Sequence, residues 1–399
     1  MRIFVHDYAG HPFAVELSRA LARRGHDVRH GYFAGDKGPK GSLERTADDP
    51  PGFSIQPISI DAPYSKGNFL KRHWLDGLYG RAAAKAIKAF APDVVMAANT
   101  PPNALTSVQA AARACDARFV FWLQDVFGMA AAALLKGRWG GIGALAAGYY
   151  QGLERRILRS SDRIIAISEN FGPYLDSLGV DPARVSVIEN WGPLSEIAPR
   201  PKANPWSDKA GVQDKLVFAY TGTLALKHNP ERLYALAQAF ADRPDVQVRV
   251  AASGVGADWL KRRAEAQPLP GLVLTGLLPM EDLADAYGGS DVLVALLEEA
   301  AGAFSAPSKV LTYLCAGRPI LLSAPLDNIA VRTVALADGG LAVAPADAEG
   351  FIAAARRLAD SPDLRAALGA GGRGHAERTF AIAAVTDRFE PLVTFAPGA

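Results

Sequence analysis

Residues 216–230 read LVFAYTGTLALKHNP, and this stretch shows the structural unit that recurs along the chain. A short apolar run predicts a buried strand, a glycine-bearing loop follows, and a proline precedes the next helical segment. The same alternation of strand, polar loop and helix recurs on both sides of this stretch. Because such alternation is typical of a parallel sheet covered by helices on both faces, the sequence predicts an α/β fold.

The predicted strands fall into two series separated by a proline-rich stretch. We predict strands at residues 2–5, 27–32, 94–97, 118–123, 163–167 and 185–188, then at 216–220, 246–251, 273–275, 292–296, 320–323 and 341–343. A helix is predicted over residues 13–24 and a mobile surface loop over 35–51. Four prolines within residues 192–211 suit an interdomain linker. The prediction is therefore two doubly wound Rossmann-like domains, 1–195 and 196–380, followed by a helical tail, 381–399, which could pack back on the first domain.

Composition indicates an ordinary globular chain of 399 residues, with 49% hydrophobic and 21% charged residues and a net charge of +2. Residues 1–205 contain 25 Lys and Arg against 19 Asp and Glu, or +6, and the remainder contains 18 against 22, or −4. The basic half could face an anionic partner, or the two halves could simply be differently charged solvated surfaces. The whole-chain charge does not indicate nucleic-acid binding.

Two cysteines, Cys115 and Cys315, favour a reducing compartment over a disulfide framework or a cysteine-based metal site. We expect no leader and no spanning helix, since no uncharged apolar run reaches about 18 residues. A bilayer surface could be contacted by residues 134–139 and the tyrosines at 149 and 150, together with a group of cations. These cations are Lys66, Lys71, Arg72, Arg81, Lys85 and Lys88. The alternative is a partly buried helix pair with solvated lysines. The expected location is cytoplasmic, with peripheral attachment to the inner membrane face.

Candidate anion-binding residues follow the strands of the second series. Gly222 and Thr223 come after the strand at 216–220, and Lys227 adds a positive charge suited to a diphosphate. Glycines after the next strand, including Gly254, permit close approach of a sugar or ribose, and Leu278 lies in a loop whose backbone could contact a nucleobase. Taken singly, each loop is equally compatible with an ordinary strand–turn–helix connection.

The most informative segment is FSAPSKVLTYLCAGRP, residues 304–319. Pro307 suits a first helical turn, so Ser308 and Lys309 lie where unpaired helix amides attract an anion. An ordinary capped helix explains the proline but not the lysine, because the helix dipole disfavours a cation in the first turn. We therefore predict a phosphate site here, to which Ser305 and Thr312 contribute.

Polar loops after three strands of the first series predict an acceptor pocket. They supply Gly10 and His11, then Asn99, then Asp125, and the last of these could orient or deprotonate an acceptor hydroxyl. His11 could do the same, although a histidine beside such a turn is more often a structural hydrogen-bonding group. No group of residues has metal-ligand spacing, so no bound metal and no tightly bound cofactor is expected.

Together these motifs resemble the retaining glycosyltransferases of GT-B fold, specifically family 4 of the "glycosyl transferases group 1" type. The similar segments, in order, are residues 17–28, 153–168, 187–191, 222–227, 283–292 and 307–319. The resemblance implies two Rossmann-like domains facing across a cleft, with the nucleotide-sugar held by the C-terminal domain and the acceptor by the N-terminal domain. It implies that Lys227 contacts the diphosphate. It also implies that the donor phosphate accepts the acceptor proton, with Asp125, Lys227 and Lys309 as the catalytic candidates.

The chain departs from the family pattern in the donor loops. Thr223 replaces a customary arginine, and the two customary glutamates, seven residues apart, fall on Phe304 and Thr312 unless Glu298 or Glu299 substitutes for one of them. The implied function is transfer of a hexosyl or N-acetylhexosaminyl group to a lipid-linked saccharide in surface polysaccharide synthesis. The alternatives are a nucleotide-sugar 2-epimerase of the same fold and a non-catalytic partner subunit. An NAD-dependent enzyme fits poorly because no Gly-x-Gly-x-x-Gly fingerprint follows a strand.

Overall fold

Parallel strand pairing organises both halves of the chain in this computed structural model. The structure describes residues 1–35, 43–62, 69–299 and 308–395, with the side chains of all of these except 69, 70, 127, 129–142 and 227. The chain divides into two units, of which the first comprises Met1–Asn190 with Ile382–Ala399 and the second comprises Trp191–Ala381.

The first unit contains a seven-stranded parallel sheet in the order β3-β2-β1-β4-β5-β6-β7. Its elements are β1 (Arg2–Asp7), α1 (Pro12–Arg23), β2 (Asp27–Phe33), β3 (Phe53–Ile58), α2 (Phe69–Phe90), β4 (Val94–Ala98), α3 (Pro102–Ala114), β5 (Arg118–Leu123), α4 (Phe127–Ser160), β6 (Arg163–Ala166), α5 (Gly172–Ser177) and β7 (Val185–Val187).

The second unit contains a six-stranded parallel sheet in the order β10-β9-β8-β11-β12-β13. Its elements are α6 (Pro205–Ala210), β8 (Leu216–Thr223), α7 (Pro230–Gln238), β9 (Val246–Ser253), α8 (Val255–Ala266), β10 (Leu272–Thr275), α9 (Leu283–Gly288), β11 (Val292–Leu296), α10 (Lys309–Ala316), β12 (Ile320–Ser323), α11 (Ile329–Leu336), β13 (Gly340–Val343), α12 (Ala348–Asp360) and α13 (Pro362–Thr379). The two predicted series of strands and the α/β class are confirmed.

Helix α14 (Ile382–Val393) follows the second unit in sequence but belongs to the first. Phe389 is fully buried, and its ring centroid lies 4.9 Å from that of Trp122 on β5. Arg24, just after α1, donates to Glu390 at 2.8 Å and also contacts Asp387. Because solvent screens exposed ion pairs, the burial of Phe389, worth roughly 2–3 kcal/mol, is the larger stabilising term. This packing gives the predicted helical tail its partner.

The sequence prediction missed strand β3, which pairs with β2 at the edge of the first sheet. Pro57 within this strand has no N–H to donate, and an edge strand is where a sheet tolerates such a residue. The expected mobile loop at 35–51 lies partly outside the described residues. Its described part is held by Asp49, which is buried and accepts from Arg19 at 2.7 Å.

Two further regions bear on the sequence expectations. Residues 127–160 form one continuous helix, α4, and the side chains of residues 134–139 lie outside those described, so the bilayer contact and the helix pair considered for this region both stay predictions. The predicted linker at 192–211 contains helix α6, whose capping residue Asn204 accepts from Ser207 N at 2.9 Å. Among the described residues no helix is both long and apolar enough to cross a membrane.

Two fully buried histidines occupy the interior of the first unit. His6 lies on β1. Thr100 Oγ1 donates to Ala98 O and therefore accepts from His6 Nδ1. This leaves His6 Nε2 to accept from Tyr79 Oη at 2.9 Å. On β2, His30 Nδ1 lies 2.9 Å from Ser18 Oγ. Burial lowers the pKa of both histidines to about 4. Both rings are therefore neutral in the folded state at neutral pH.

These histidines predict that the first unit loses stability on mild acidification. The unfolded chain binds protons at both rings near pH 6.5 and the folded chain does not. The free energy of unfolding that depends on keeping these rings neutral is therefore fully present above pH 6.5 and is lost as the pH falls toward 4. We expect the free energy of unfolding, measured with urea, to fall by about 2 kcal/mol per histidine from pH 7 to pH 5. His30→Asn should remove about half of this pH dependence. An equal slope in wild type and His30→Asn would refute this assignment.

Candidate active site

The carboxyl edge of the second sheet brings together two of the segments predicted to bind a diphosphate. Strand β8 extends to Thr223, so Gly222 and Thr223 are the last strand residues rather than part of a loop, because they pair in register with Ala252 and Ser253 of β9. Gly222 has a φ of 98°, and a Cβ atom there would meet nothing within 4 Å. The strand therefore ends with an exposed threonine and an open backbone face.

The turn between β9 and α8 packs directly against the loop that follows β8. Gly254, with a φ of 109°, precedes the helix, and Gly256 N donates to Leu224 O at 2.8 Å. A Cβ atom on Gly256 would lie 2.7 Å from that carbonyl oxygen, so only glycine fits without displacement. These contacts place the loop containing Lys227 beside the predicted glycine turn.

Lys309 is the first residue of helix α10, and its ammonium lies over the face of Tyr220 on β8. Its Nζ atom is 3.5 Å from the ring centroid and is inaccessible to water, although the stem of the side chain is partly exposed. Within the described part of the chain, this nitrogen has no hydrogen-bond partner. Burial lowers the pKa of Lys309 to about 7. A buried cation at a helix N-terminus is an arrangement that an anion would stabilise.

Behind this lysine lies a cluster of buried hydroxyl groups. Thr221 N donates to Tyr313 Oη at 3.2 Å, and Thr221 Oγ1 lies 3.1 Å from Tyr287 Oη. Burial raises the pKa of Tyr313 and of Tyr287, so both phenols stay neutral. The cluster connects β8 to α9 and α10 and holds α10 against the sheet through Tyr313.

The remaining predicted donor residues are distributed around this edge. Ser308 is exposed with helical φ and ψ, Thr312 on α10 is half-buried, and Leu278 is half-buried after β10. Glu298 and Glu299 follow β11 after Leu297. Ser305 and the side chain of Lys227 lie outside what the structure describes. The predicted roles of all these residues in binding remain predictions.

In the first unit, three polar loops meet at the carboxyl edge of the sheet. The buried carboxylate of Asp7 accepts from the backbone N–H of His11, lies 3.2 Å from His11 Nδ1, and accepts from Asn99 Nδ2 at 2.9 Å. Burial by itself would raise the pKa of Asp7, but the hydrogen bonds and charge of His11 lower it below its ordinary value. Asp7 therefore fixes the orientation of His11, whose side chain is one-third exposed.

A cavity of about 310 Å³ opens beside this group. It is lined by His11, Asn99, Asp125 and Arg72, together with Thr100 and Gln124. Asp125 is exposed, and Gln124 exchanges hydrogen bonds with Asn190 at 2.6 and 3.2 Å. Gly10, with a φ of 71°, shapes the loop, and a Cβ atom there would lie 2.9 Å from Leu43. The predicted acceptor residues are thus neighbours in space.

Sequence reasoning missed several residues of these two sites. Asp7 is not among the residues nominated from the sequence, and Arg72 is named only among the cations that could contact a bilayer. Tyr220, Tyr287 and Tyr313 were not nominated, because a tyrosine in an apolar run is usually a core residue and no local spacing links the three. Among the described residues, no three His, Cys, Asp or Glu side chains gather as metal ligands would.

Comparison with protein families agrees with this architecture. A family described as Glycosyltransferase Family 4 matches residues 12–194, and one described as Glycosyl transferases group 1 matches residues 215–361. The two matches together cover most of the chain. The chain belongs to the family 4, group 1 type of glycosyltransferases.

Individual relatives are more distant. The chain is 27% identical over 240 residues to the D-inositol 3-phosphate glycosyltransferase of Streptomyces scabiei (strain 87.22), covering 56% of this chain and 52% of that protein. The match thus spans about half the length of this curated relative. Two solved structures cover nearly all of both chains. Sucrose-phosphate synthase of Thermosynechococcus elongatus aligns at 17% identity over 98% of each chain, with a TM-score of 0.71. HepE of Anabaena in complex with UDP-glucose aligns at 14% identity over 99% of this chain and 100% of its own, with a TM-score of 0.70. At these identities the likeness establishes the fold, which is GT-B.

Proposed function

We propose that this protein transfers a sugar from a nucleoside-diphosphate sugar to a saccharide hydroxyl, with retention of anomeric configuration. The main supporting observation is the buried ammonium of Lys309, which lacks a hydrogen-bond partner in the described structure and lies at a helix N-terminus. A diphosphate would neutralise this group and accept from amides in the first turn of α10. The UDP-glucose complex of HepE, which has the same fold, supports a nucleotide-sugar as the ligand.

The second unit would bind the donor, and its cations would stabilise the leaving diphosphate. As the bond between the anomeric carbon and the phosphate oxygen breaks, the acceptor oxygen bonds to the same face of that carbon. The acceptor proton passes to the departing phosphate oxygen, so the products are a glycoside and a nucleoside diphosphate. Lys227 and Lys309 would neutralise the charge that develops on the leaving group. This step requires no protein nucleophile and no bound metal.

The first unit would bind the acceptor in the cavity beside His11, Asn99 and Asp125. The carboxylate of Asp7 lies 3.2 Å from His11 Nδ1 and would orient the His11 ring toward a sugar hydroxyl. Asp125, on the same cavity wall, would orient a second hydroxyl. Correct orientation of the attacking oxygen is the main contribution that such residues make.

We further propose a lipid-linked acceptor at the cytoplasmic face of a membrane, as in surface polysaccharide synthesis. Helix α2 exposes Lys71, Trp74, Arg81, Lys85 and Lys88, whose spacings of 3, 7, 4 and 3 residues place them on one side of the helix. Trp74 is 54% exposed. A row of cations with an exposed tryptophan suits the interface of an anionic bilayer.

The donor assignment is tested with Lys309→Met, which keeps the aliphatic stem and removes the charge. Thermal shift should reveal wild-type stabilisation by at least one of UDP, GDP and ADP, and the variant should lose it. Because burying an unpaired ammonium is costly, the unliganded variant should be at least as stable as wild type. Lys261→Ala, which removes an exposed lysine of the same unit, should behave as wild type. Retained nucleotide binding in Lys309→Met would contradict the donor site.

The acceptor assignment predicts a separation of kinetic effects. His11→Ala should lower kcat/KM for transfer by roughly 10- to 100-fold, since it removes a group that orients the acceptor. Nucleotide binding, measured by calorimetry, should stay at the wild-type value because His11 lies in the other unit. Loss of nucleotide affinity in His11→Ala would argue against this division of roles. Nucleotide binding without any transfer would favour a non-catalytic subunit, and epimerised UDP-sugar as the sole product would favour an epimerase.

The membrane assignment is tested by replacing Lys71, Arg81, Lys85 and Lys88 with alanine. Each cation near an anionic surface contributes about 1 kcal/mol, so binding to phosphatidylglycerol vesicles should fall by more than tenfold. The matched control replaces four exposed cations of the second unit: Lys209, Lys261, Arg262 and Arg378. Equal loss of vesicle binding in both quadruple variants would show a nonspecific charge effect and refute the proposal.

A further inference from the structure

Tyr220 contacts both segments that the proposed donor site requires. Its ring face lies 3.5 Å below the ammonium of Lys309, which belongs to α10. Its hydroxyl donates to Thr223 O at 2.8 Å, at the point where β8 passes into the loop that contains Lys227. The side chain is completely buried, and burial raises the pKa of its phenol above the ordinary value. One rigid aromatic ring therefore spans the gap between the loop and the helix.

The hydroxyl end of Tyr220 is held by more than one contact. His228 Nδ1 lies 3.3 Å from Tyr220 Oη and accepts from Ala225 N at 3.1 Å. The loop after β8 is thus folded around the tyrosine hydroxyl through Thr223 at its start and His228 at its end. A ring anchored in this way cannot rotate away from Lys309 without breaking the loop contacts.

The aromatic ring of Tyr220 stabilises the Lys309 ammonium in place of an acidic partner. An ammonium over an aromatic face is stabilised by the ring quadrupole, and this attraction is strongest where water is excluded. The face attracts the cation without neutralising it or using its hydrogens in salt bridges. The ammonium is therefore fixed in place but still able to donate to an incoming phosphate.

Other ionisable groups around Lys309 do not perform this function. Tyr287 of α9 and Tyr313 of α10 bond to Thr221, and Asp285 of α9 pairs with Arg200 at 3.4 Å. On α13, Arg373 donates to Cys315 O at 2.7 Å and pairs with Glu377. Glu298 and Glu299 follow β11, and β11 and β12 themselves have no charged residue. Within the described residues, none of these groups hydrogen-bonds to Lys309 Nζ.

We propose that Tyr220 is the positioning residue of the donor site, with its ring holding the Lys309 ammonium and its hydroxyl holding the loop after β8. The inference rests on the proposed binding of a nucleoside diphosphate to the second unit. It assigns separate roles to the ring and to the hydroxyl group of Tyr220, which can be tested independently. Loss of the ring makes Lys309 easier to deprotonate, whereas loss of the hydroxyl loosens the loop and leaves Lys309 unchanged.

The test is the pH dependence of affinity for UDP, GDP or ADP, whichever binds wild type, measured by calorimetry from pH 5.5 to 9. Wild-type affinity should fall as the pH rises and Lys309 loses its proton. In Tyr220→Leu the midpoint of this fall should move down by about one pH unit, which makes binding about tenfold weaker at pH 8 and only about twofold weaker at pH 6. Titration of the nucleotide phosphate is common to both proteins and cancels in the comparison.

Tyr220→Phe keeps the ring face and removes the hydroxyl, so its midpoint should match wild type while its affinity is several-fold weaker at every pH. Phe218→Leu, a core change on the same face of β8, should reduce stability without moving the midpoint. If wild type binds and Tyr220→Leu has the wild-type midpoint, the positioning role is wrong while the donor site stands. If wild type binds none of the three nucleotides, the proposed function itself fails.

Discussion

Parallel pairing of every strand is the constraint on which the rest of this structure depends. In a parallel sheet all strands run in the same direction, so the loops that follow the strands lie together at the carboxyl end of the sheet. Residues that are distant in sequence, such as Asp7 and Asn99 or Tyr220 and Lys309, become neighbours for this reason alone. The polar residues at the carboxyl edges are thus a consequence of topology, and the buried strands behind them supply rigidity.

Two buried charged groups at the carboxyl ends of the sheets, Asp7 and Lys309, differ in their hydrogen-bond partners. Asp7 is fully buried, and its carboxylate accepts from His11 and Asn99, which lowers its pKa despite burial. Lys309 has an aromatic face beneath its ammonium but no hydrogen-bond partner among the described residues, and burial lowers its pKa. A charge with a complete set of partners stabilises the unliganded fold. A charge without them costs stability until a ligand of opposite sign arrives, and such a cost is characteristic of binding sites.

Each unit has its own hydrophobic core, yet the last helix of the chain belongs to the first unit. Phe389 of α14 packs on Trp122, and its burial is worth more than the exposed ion pairs around Arg24. The chain thus returns to the first unit after the second is complete. Removal of α14 would expose the face of Trp122, so the stability of the first unit depends on the last residues of the chain.

The amino-acid sequence by itself determined the fold class, the two series of strands and most of their positions. These features depend on local apolar runs, glycine loops and helix-starting prolines, and the physics of each acts within a few residues. It also indicated Lys309, because a cation in a first helical turn conflicts with the helix dipole. Strand β3 was missed because Pro57 is unfavourable in a strand except at a sheet edge, and an edge is defined only by the assembled sheet. The tertiary structure alone decided that β8 continues through Thr223, that Asp7 orients His11, and that Tyr220 lies beneath Lys309. Tyr220 and Lys309 are 89 positions apart in sequence, and the burial that shifts the pKa values of such groups exists only after the chain has folded.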